Sequence, residues 1–318
     1  MSQWAGIESG VHTPPTSPAA PAPSSGSASG HAATEPRLRR SDHLVLGTID
    51  TGAHVLQRRA RVVMLGSAVF MLPMLALNLL LSALAFREFD GFDSMFGERG
   101  YVGVESTSVF VAIVVQSYTA HLVGAFGAQV LVAYQMGGEP TLGHSVLCVA
   151  RRLPMLTLTW VLTHWWAVLA ALLVVSEPEL AAGLSTFAVP FIALCTACVL
   201  LTVPVLMTED RGVASIGRGF QLARTRFGAS FVYVLVCGMM GGLLFVFISE
   251  LPVLLEQTGL ITFGSYGYLI EGITSQIALL VVIPLSALAT AQLYLQLRVS
   301  SEGADLSLAA DRAFGRRA

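Results

Sequence analysis

Lysine is absent from these 318 residues, so all 18 basic side chains are arginine. Charge of either sign is scarce. Charged residues make up 12% of the chain against 54% hydrophobic, with a mean hydropathy of +0.70, whereas an ordinary soluble domain is about one quarter charged. That balance excludes a soluble globular protein and defines a membrane protein. A formal net charge of -2 gives no global field for a nucleic-acid partner. Only four cysteines occur, Cys148, Cys195, Cys198 and Cys237, all in or beside apolar runs, which argues against a disulfide framework. No charged segment followed by a short apolar run opens the chain. The first long apolar run starts at Val62, so the first span is expected to serve as the insertion signal, without a cleavable leader.

What is present is a sequence for an all-α polytopic fold. Residues 1–45, rich in Pro, Ser, Ala and Gly, read as a disordered cytoplasmic tail, because they lack the apolar periodicity that offsets the entropy of ordering a backbone. Residues 46–300 read as a membrane domain, and 301–318 as a short cytoplasmic segment. About 20 apolar residues cross a bilayer, and six stretches qualify: 62–86, 107–135, 154–176, 183–207, 229–249 and 269–297. The second and sixth exceed a perpendicular crossing and should tilt or protrude. With the N-terminus inside, 16 arginines fall on cytoplasmic segments. The outer loops keep only Arg87 and Arg99 beside nine acids. The expectation is therefore a multi-pass cell (inner) membrane protein with both termini cytoplasmic.

The segments before the odd-numbered spans resemble one another. Apolar residues recur at Ile49, Ala53, Leu56 and Ala60, at Leu142, Val146, Val149 and Leu153, and at Ile216, Phe220, Ala223 and Phe227. This spacing makes one helical face. In each copy an arginine stands ten residues after the first apolar position: Arg59, Arg152 and Arg226. Each copy reads as an amphipathic interfacial helix followed by a transmembrane hairpin, a threefold repeat of helix plus hairpin.

The last apolar run passes abruptly into polar residues. Tyr294 falls where an aromatic belt residue belongs, Arg298 follows just inside the cytoplasmic surface, and Glu302 comes one turn later. Gly303 suits a helix end, and Asp305 a cap for a short helix over "LSLAADRAF". The stretch "LYLQLRVSSEGADL" also resembles the tail "lYxdLRxrxEGxDl" that closes the membrane domain of the glycerophosphoryl diester phosphodiesterase family and its stand-alone bacterial relatives. "VPVLMTEDRGVASIGRGFQLARTRFGASF" resembles the same family's fourth-span exit, "vP.v..E..g...A..RS..L..g.f". The resemblance covers roughly residues 45–306, with its sharp motifs in the last third. Gln296 departs from the usual acid, Ser300 and Ser301 from more basic residues, and Gly219 from a serine. It implies the membrane domain only. The family's hydrolase chemistry belongs to a separate (β/α) barrel of about 250 residues, which no segment here supplies, so the chain is expected not to be an enzyme.

Polar groups at depth mark the places where a membrane bundle carries chemistry. His121 lies near the centre of the second span and His164 near that of the third. If those helices are neighbours, the two imidazoles meet and offer a cofactor, metal or proton-relay position, with Trp165 and Trp166 suited to a flat cofactor. Neither sits in a ligand motif and no carboxylate lies at similar depth, so no cofactor and no metal are expected. "CTAC" has C-x-x-C spacing but lies in an apolar span without a second Cys or His pair, which favours packing. Gly238 and Gly242 form G-x-x-x-G, a close-packing and self-association signal. Pro190 and Pro284 should kink their helices. "REFDGFDSMFGERG" gathers acids without the order of a calcium loop and reads as a solvated loop. Glu209, Asp210, Arg218 and Arg298, drawn from both family-like stretches, are expected to form a structural charge cluster under the membrane.

These features favour a non-catalytic membrane module, a scaffold or accessory subunit related to envelope or lipid metabolism. Its partners would be membrane lipids and another membrane or envelope protein, not nucleic acid. The alternative is a transporter or lipid-handling protein with a central cavity between kinked helices.

Overall fold

The computed structural model describes residues 43–85, 104–176, 190–264 and 267–303. Among the described residues the chain is helical apart from short turns, and no strand is present. The expected N-terminal tail up to residue 42, the acidic stretch 87–100 and the segment from residue 304 onward lie outside them. In chain order the helices are α1 (Leu44–Arg58), α2 (Ala60–Ala85), α3 (Val104–Gln135), α4 (Leu142–Arg151), α5 (Leu153–Ser176), α6 (Pro190–Glu209), α7 (Ala214–Thr225), α8 (Phe227–Ser249), α9 (Leu251–Gln257) and α10 (Gly267–Glu302).

Four stretches are long and apolar enough to cross a membrane: Ala60–Leu77 in α2, Pro190–Glu209, Phe227–Ser249 and Gly272–Glu302. A fifth is the pair Leu142–Arg151 and Leu153–Trp166, bent by 63° at its break. Four of the six expected spans thus have a counterpart, or five where the bent pair is counted as one span. The sixth, 107–135, is the helix α3, which is not among these stretches. The physical reason lies in its position. Helix α3 packs against α2, α5, α6 and α10, so Gln129, Gln135 and His121 turn inward and are nearly buried. A helix enclosed by other helices need not be apolar on its whole surface.

Helices α3 and α10 form the central pair, which makes the most extensive contact in the molecule. They contain 32 and 36 residues, about 50 Å each at roughly 1.5 Å per residue, well beyond the ~30 Å hydrocarbon thickness. Phe126, Leu131, Leu201, Leu206, Leu288 and Leu293 fill the space around them. Helix α8 is peripheral, with only Ser230, Tyr233 and Ser249 of its 23 residues buried.

The short helices α1, α4 and α7 are each followed by a long one after a one-residue break. The break residues are Arg59, Arg152 and Arg226, the three arginines singled out by the sequence pattern. Helix α1 packs on α10, α4 on α3, and α7 on α6. The buried face is rotated by about one position from the expected apolar register. It is centred on Thr48, Gly52 and Val55 in α1, on Ser145 and Val149 in α4, and on Ser215, Gly219 and Leu222 in α7. Small residues at these centres allow close approach. A Cβ at Gly52 would lie 2.9 Å from the backbone nitrogen of Ala289, and one at Gly219 would lie 2.9 Å from that of Thr202. Of the larger apolar side chains chosen by periodicity alone, Ile49 and Val149 are buried, Leu56, Leu142, Val146 and Ile216 are half-buried on the flank, and Phe220 is exposed.

Neither proline expected to kink its helix interrupts a helix among the described residues. Pro190 is the first described residue of α6, and Pro284 lies inside α10, which continues as one helix. The break in α6 falls at Leu200 and Leu201. Pro204 follows four residues after Leu200 and has no N–H to offer its carbonyl. The ladder resumes where Val205 N donates to Leu201 O at 3.1 Å.

Candidate functional site

The ends of α6 and α10 meet α7 in one polar cluster, at the arginine-rich basic end of the bundle. Its centre is Glu209, the last residue of α6, whose side chain is 2% exposed. Arg218 Nε on α7 donates to Glu209 Oε2 at 3.2 Å. Arg211 Nε lies 2.9 Å from the same oxygen. On the other side, Tyr294 Oη donates to Glu209 Oε1 at 3.2 Å, and Arg298 Nε stands 3.8 Å from that oxygen.

Helix α10 presents its share of the cluster by helical spacing. Tyr294, Arg298 and Glu302 are four residues apart and share one face. Arg298 Nη1 donates to Tyr294 Oη at 3.1 Å, and Arg298 Nε donates to Glu302 Oε2 at 2.9 Å. Glu302 also accepts from Arg218, so one guanidinium bridges α6 and α10. Thr208 Oγ1 lies 2.6 Å from Tyr294 Oη. Beneath this layer, Gln135 Nε2 of α3 donates to Gln292 Oε1 at 3.1 Å. Gly303, at φ +62°, then ends α10 as expected.

Three of the four residues expected to cluster come together: Glu209, Arg218 and Arg298. Asp210 does not. It caps α6 in the left-handed conformation, φ 49°, and turns its carboxylate outward to Arg152 at 3.3 Å. Arg152 also donates to the carbonyls of Leu206 and Met207 at 2.8 and 2.7 Å, satisfying acceptors that the end of a helix leaves open. Tyr294 is a second correction. It is fully buried rather than placed in an aromatic belt, because its hydroxyl is the hub between Thr208, Glu209 and Arg298. Thr208 and Arg211 are members that sequence reasoning missed. Only the adjacency of Thr208 and Arg211 to Glu209 hinted at their role.

Three guanidinium groups surround two carboxylates in this cluster, so each buried charge has an opposite partner. Arg298 is 3% exposed and would be costly to bury unpaired. For Arg218, burial works against the charged form. The Glu302 hydrogen bond and the charges of Glu209 and Glu302 outweigh it and hold the guanidinium above its ordinary pKa.

A second polar assembly joins α3 to α5. The rings of His121 and His164 meet edge to face with centroids 5.5 Å apart, as the neighbouring-helix condition required. His121 Nε2 lies 3.3 Å from Thr159 Oγ1, and His164 Nδ1 lies 2.9 Å from Thr163 Oγ1. The Trp160 and Trp166 rings run nearly parallel to His164, at 5.9 and 6.3 Å. Trp165, expected to face a flat cofactor, is 59% exposed instead. Alongside, Tyr118 Oη contacts Thr157 Oγ1 at 2.7 Å, and Trp160 Nε1 donates to Ser117 Oγ at 3.3 Å. The chemistry here is that of an interhelical hydrogen-bonded seam. Among the described residues no group of three or more His, Cys, Asp or Glu is arranged to hold a metal ion.

The remaining motifs resolve simply. All four cysteines are free and partly buried. Gly238 and Gly242 face open space, with nothing within 4 Å of a Cβ built on either. Close packing inside the chain comes instead from Gly241, whose Cβ would stand 3.0 Å from Val282 Cγ1 on α10.

The bundle of long apolar helices defines a multi-pass helical membrane protein. Compared with family models, with curated proteins and with solved structures, the chain matches none.

Proposed function

We propose that this chain is a non-catalytic membrane module, a scaffold or accessory subunit, with six spans and both termini on the cytoplasmic side. The observation that carries the reading is the enclosure of Glu209. Its carboxylate is surrounded by Arg211, Arg218, Arg298 and Tyr294, so the most elaborate polar cluster is directed at itself rather than at a cleft. Such a cluster fastens helices together. In this reading α3 is the sixth span, enclosed by the others, and the arginine-rich end faces the cytoplasm.

The reading also takes the molecule as three helix-plus-hairpin units. The breaks at Arg59, Arg152 and Arg226 support it, as do the small residues Gly52, Ser145 and Gly219, each seven positions before its arginine. The first short helix docks on a helix of the third unit, the second on the first and the third on the second, so the ring of units closes. Helix α10 continues nine residues from Ala289, where α1 docks, to Arg298, about 13 Å. With α1 at the interface, the Glu209 cluster stands clear of the lipid. The resemblance of "LYLQLRVSSEGADL" to the membrane domain of the glycerophosphoryl diester phosphodiesterase family points to envelope or lipid metabolism. The matching stretch supplies Tyr294, Arg298 and Glu302, three members of the cluster.

The experiment is native mass spectrometry of the chain released gently from its own membranes. A stoichiometric partner protein supports the module. A stoichiometric small molecule held without a partner, and lost on replacing His121 and His164, overturns it in favour of a transporter or cofactor protein.

A further inference from the structure

The arginines of the basic end divide into two sets. Arg59 pairs with Glu139, Arg152 with Asp210, and Arg211, Arg218 and Arg298 with Glu209 or Glu302. The acids Glu139, Glu209, Asp210 and Glu302 are thereby engaged. The second set is Arg58, Arg61, Arg151, Arg224 and Arg226. All five are exposed, and none forms an ion pair among the described residues. Asp50 of α1 is the exposed acid left on the short helices.

This second set is not spread evenly. Its members lie at the three breaks, where lipid-facing helices begin. Counting from each break arginine, the positions two, six and thirteen residues later are exposed in all three cases. They are Arg61, Leu65 and Leu72 on α2, Pro154, Leu158 and Trp165 on α5, and Gly228, Val232 and Met239 on α8. Leu72, Trp165 and Met239 are each exposed by 59% or more. Each long helix therefore carries an apolar stripe outward into the bilayer. At the foot of each stripe stand unpaired guanidinium groups: Arg58 and Arg61, Arg151, and Arg224 and Arg226.

We propose that these three feet are binding positions for anionic phospholipids, the headgroup phosphate held by the exposed arginines and an acyl chain laid along the stripe above. The stripes dictate an occupant with a hydrocarbon tail. The arginines dictate a phosphate, which guanidinium recognises by paired N–H donors. The preference for a net negative lipid over a zwitterionic one follows from charge complementarity, since Glu139, Glu209, Asp210 and Glu302 are paired with the other five arginines and Asp50 is the one acid on the short helices to set against these five. A basic side chain near an anionic surface contributes about 1 kcal/mol, which corresponds to roughly fivefold enrichment per arginine.

The test uses the full chain reconstituted in nanodiscs of phosphatidylcholine and phosphatidylglycerol at a fixed ratio, with retained lipids counted by native mass spectrometry. The native chain should retain phosphatidylglycerol several-fold above the supplied ratio. R58Q/R61Q/R151Q/R224Q/R226Q should bring retention down to the supplied ratio, while the five Lys replacements should preserve it. Enrichment that survives the Gln replacements, or a native chain that reflects the supplied ratio, overturns the proposal. Should the Gln variant fail to fold, the native chain alone decides. Its enrichment must decline as salt is raised from low to about 0.5 M, and salt-independent retention contradicts an exposed phosphate contact.

Discussion

Glu209 at the end of α6 and Arg298 near the end of α10 stand 3.8 Å apart in the interior of the basic end, with side chains 2% and 3% exposed. Burial makes this relationship consequential. A charge taken out of water is tolerated while its partners remain, and removing one partner leaves the other uncompensated.

Glu209→Gln is therefore expected to destabilise the chain by about 3–5 kcal/mol. Asp210→Asn, one residue away but with its carboxylate 81% exposed, should change stability by less than about 1 kcal/mol. Denaturant unfolding of both variants in one detergent separates them. Equal effects would mean that Glu209 is not enclosed.

Tyr294→Phe keeps the ring and removes the hydroxyl that links Thr208, Glu209 and Arg298. The expected loss is about 1–3 kcal/mol, from groups left buried with fewer partners. Thermal unfolding reads it, and an unchanged midpoint would contradict the hub.

Gly52→Ala and Gly219→Ala place a methyl 2.9 Å from backbone atoms of α10 and α6. Overpacking of this kind costs about 1–3 kcal/mol. Gly238→Ala and Gly242→Ala meet open space and should be neutral or slightly stabilising in the monomer, since alanine favours a helix over glycine. Loss of a dimer in Gly238→Ala, measured by light scattering in detergent, would show that this face is covered by another copy.

His164→Phe retains a flat ring between Trp160 and Trp166, whereas His164→Ala leaves a gap. The seam predicts that the Phe variant keeps most of the native stability and that the Ala variant loses about 2–4 kcal/mol. A metal or proton-relay role predicts instead that both fail alike in bound metal or proton flux. Elemental analysis together with thermal unfolding distinguishes the two.

Much of the architecture was legible because membrane helices announce themselves by length and charge bias. Four or five of the six expected spans follow from those signals, whereas the arginines Arg59, Arg152 and Arg226, at which the chain breaks, were marked only by the repeated apolar pattern. The register of the short helices was not legible. Periodicity favours large apolar residues, yet close docking depends on Gly52, Ser145 and Gly219, whose side chains carry no hydrophobic signal. The weakness of α3 as a span has the same origin, since its polar side chains are matched by helices distant in sequence. Within the candidate cluster, Arg298 with Glu302 was readable from four-residue spacing, and Glu209 with Arg218 from the shared family-like stretch. The outward turn of Asp210 was not, because it depends on one left-handed backbone conformation at the end of α6.

The measurement that tests the account most directly is a double-mutant cycle on Glu209→Gln and Arg298→Gln, followed by denaturant unfolding of the four chains. A structural fastening predicts strong coupling, at least about 1.5 kcal/mol, with the double variant little worse than either single one. Small, additive effects would contradict it and would make the cluster a set of charges free to receive a ligand.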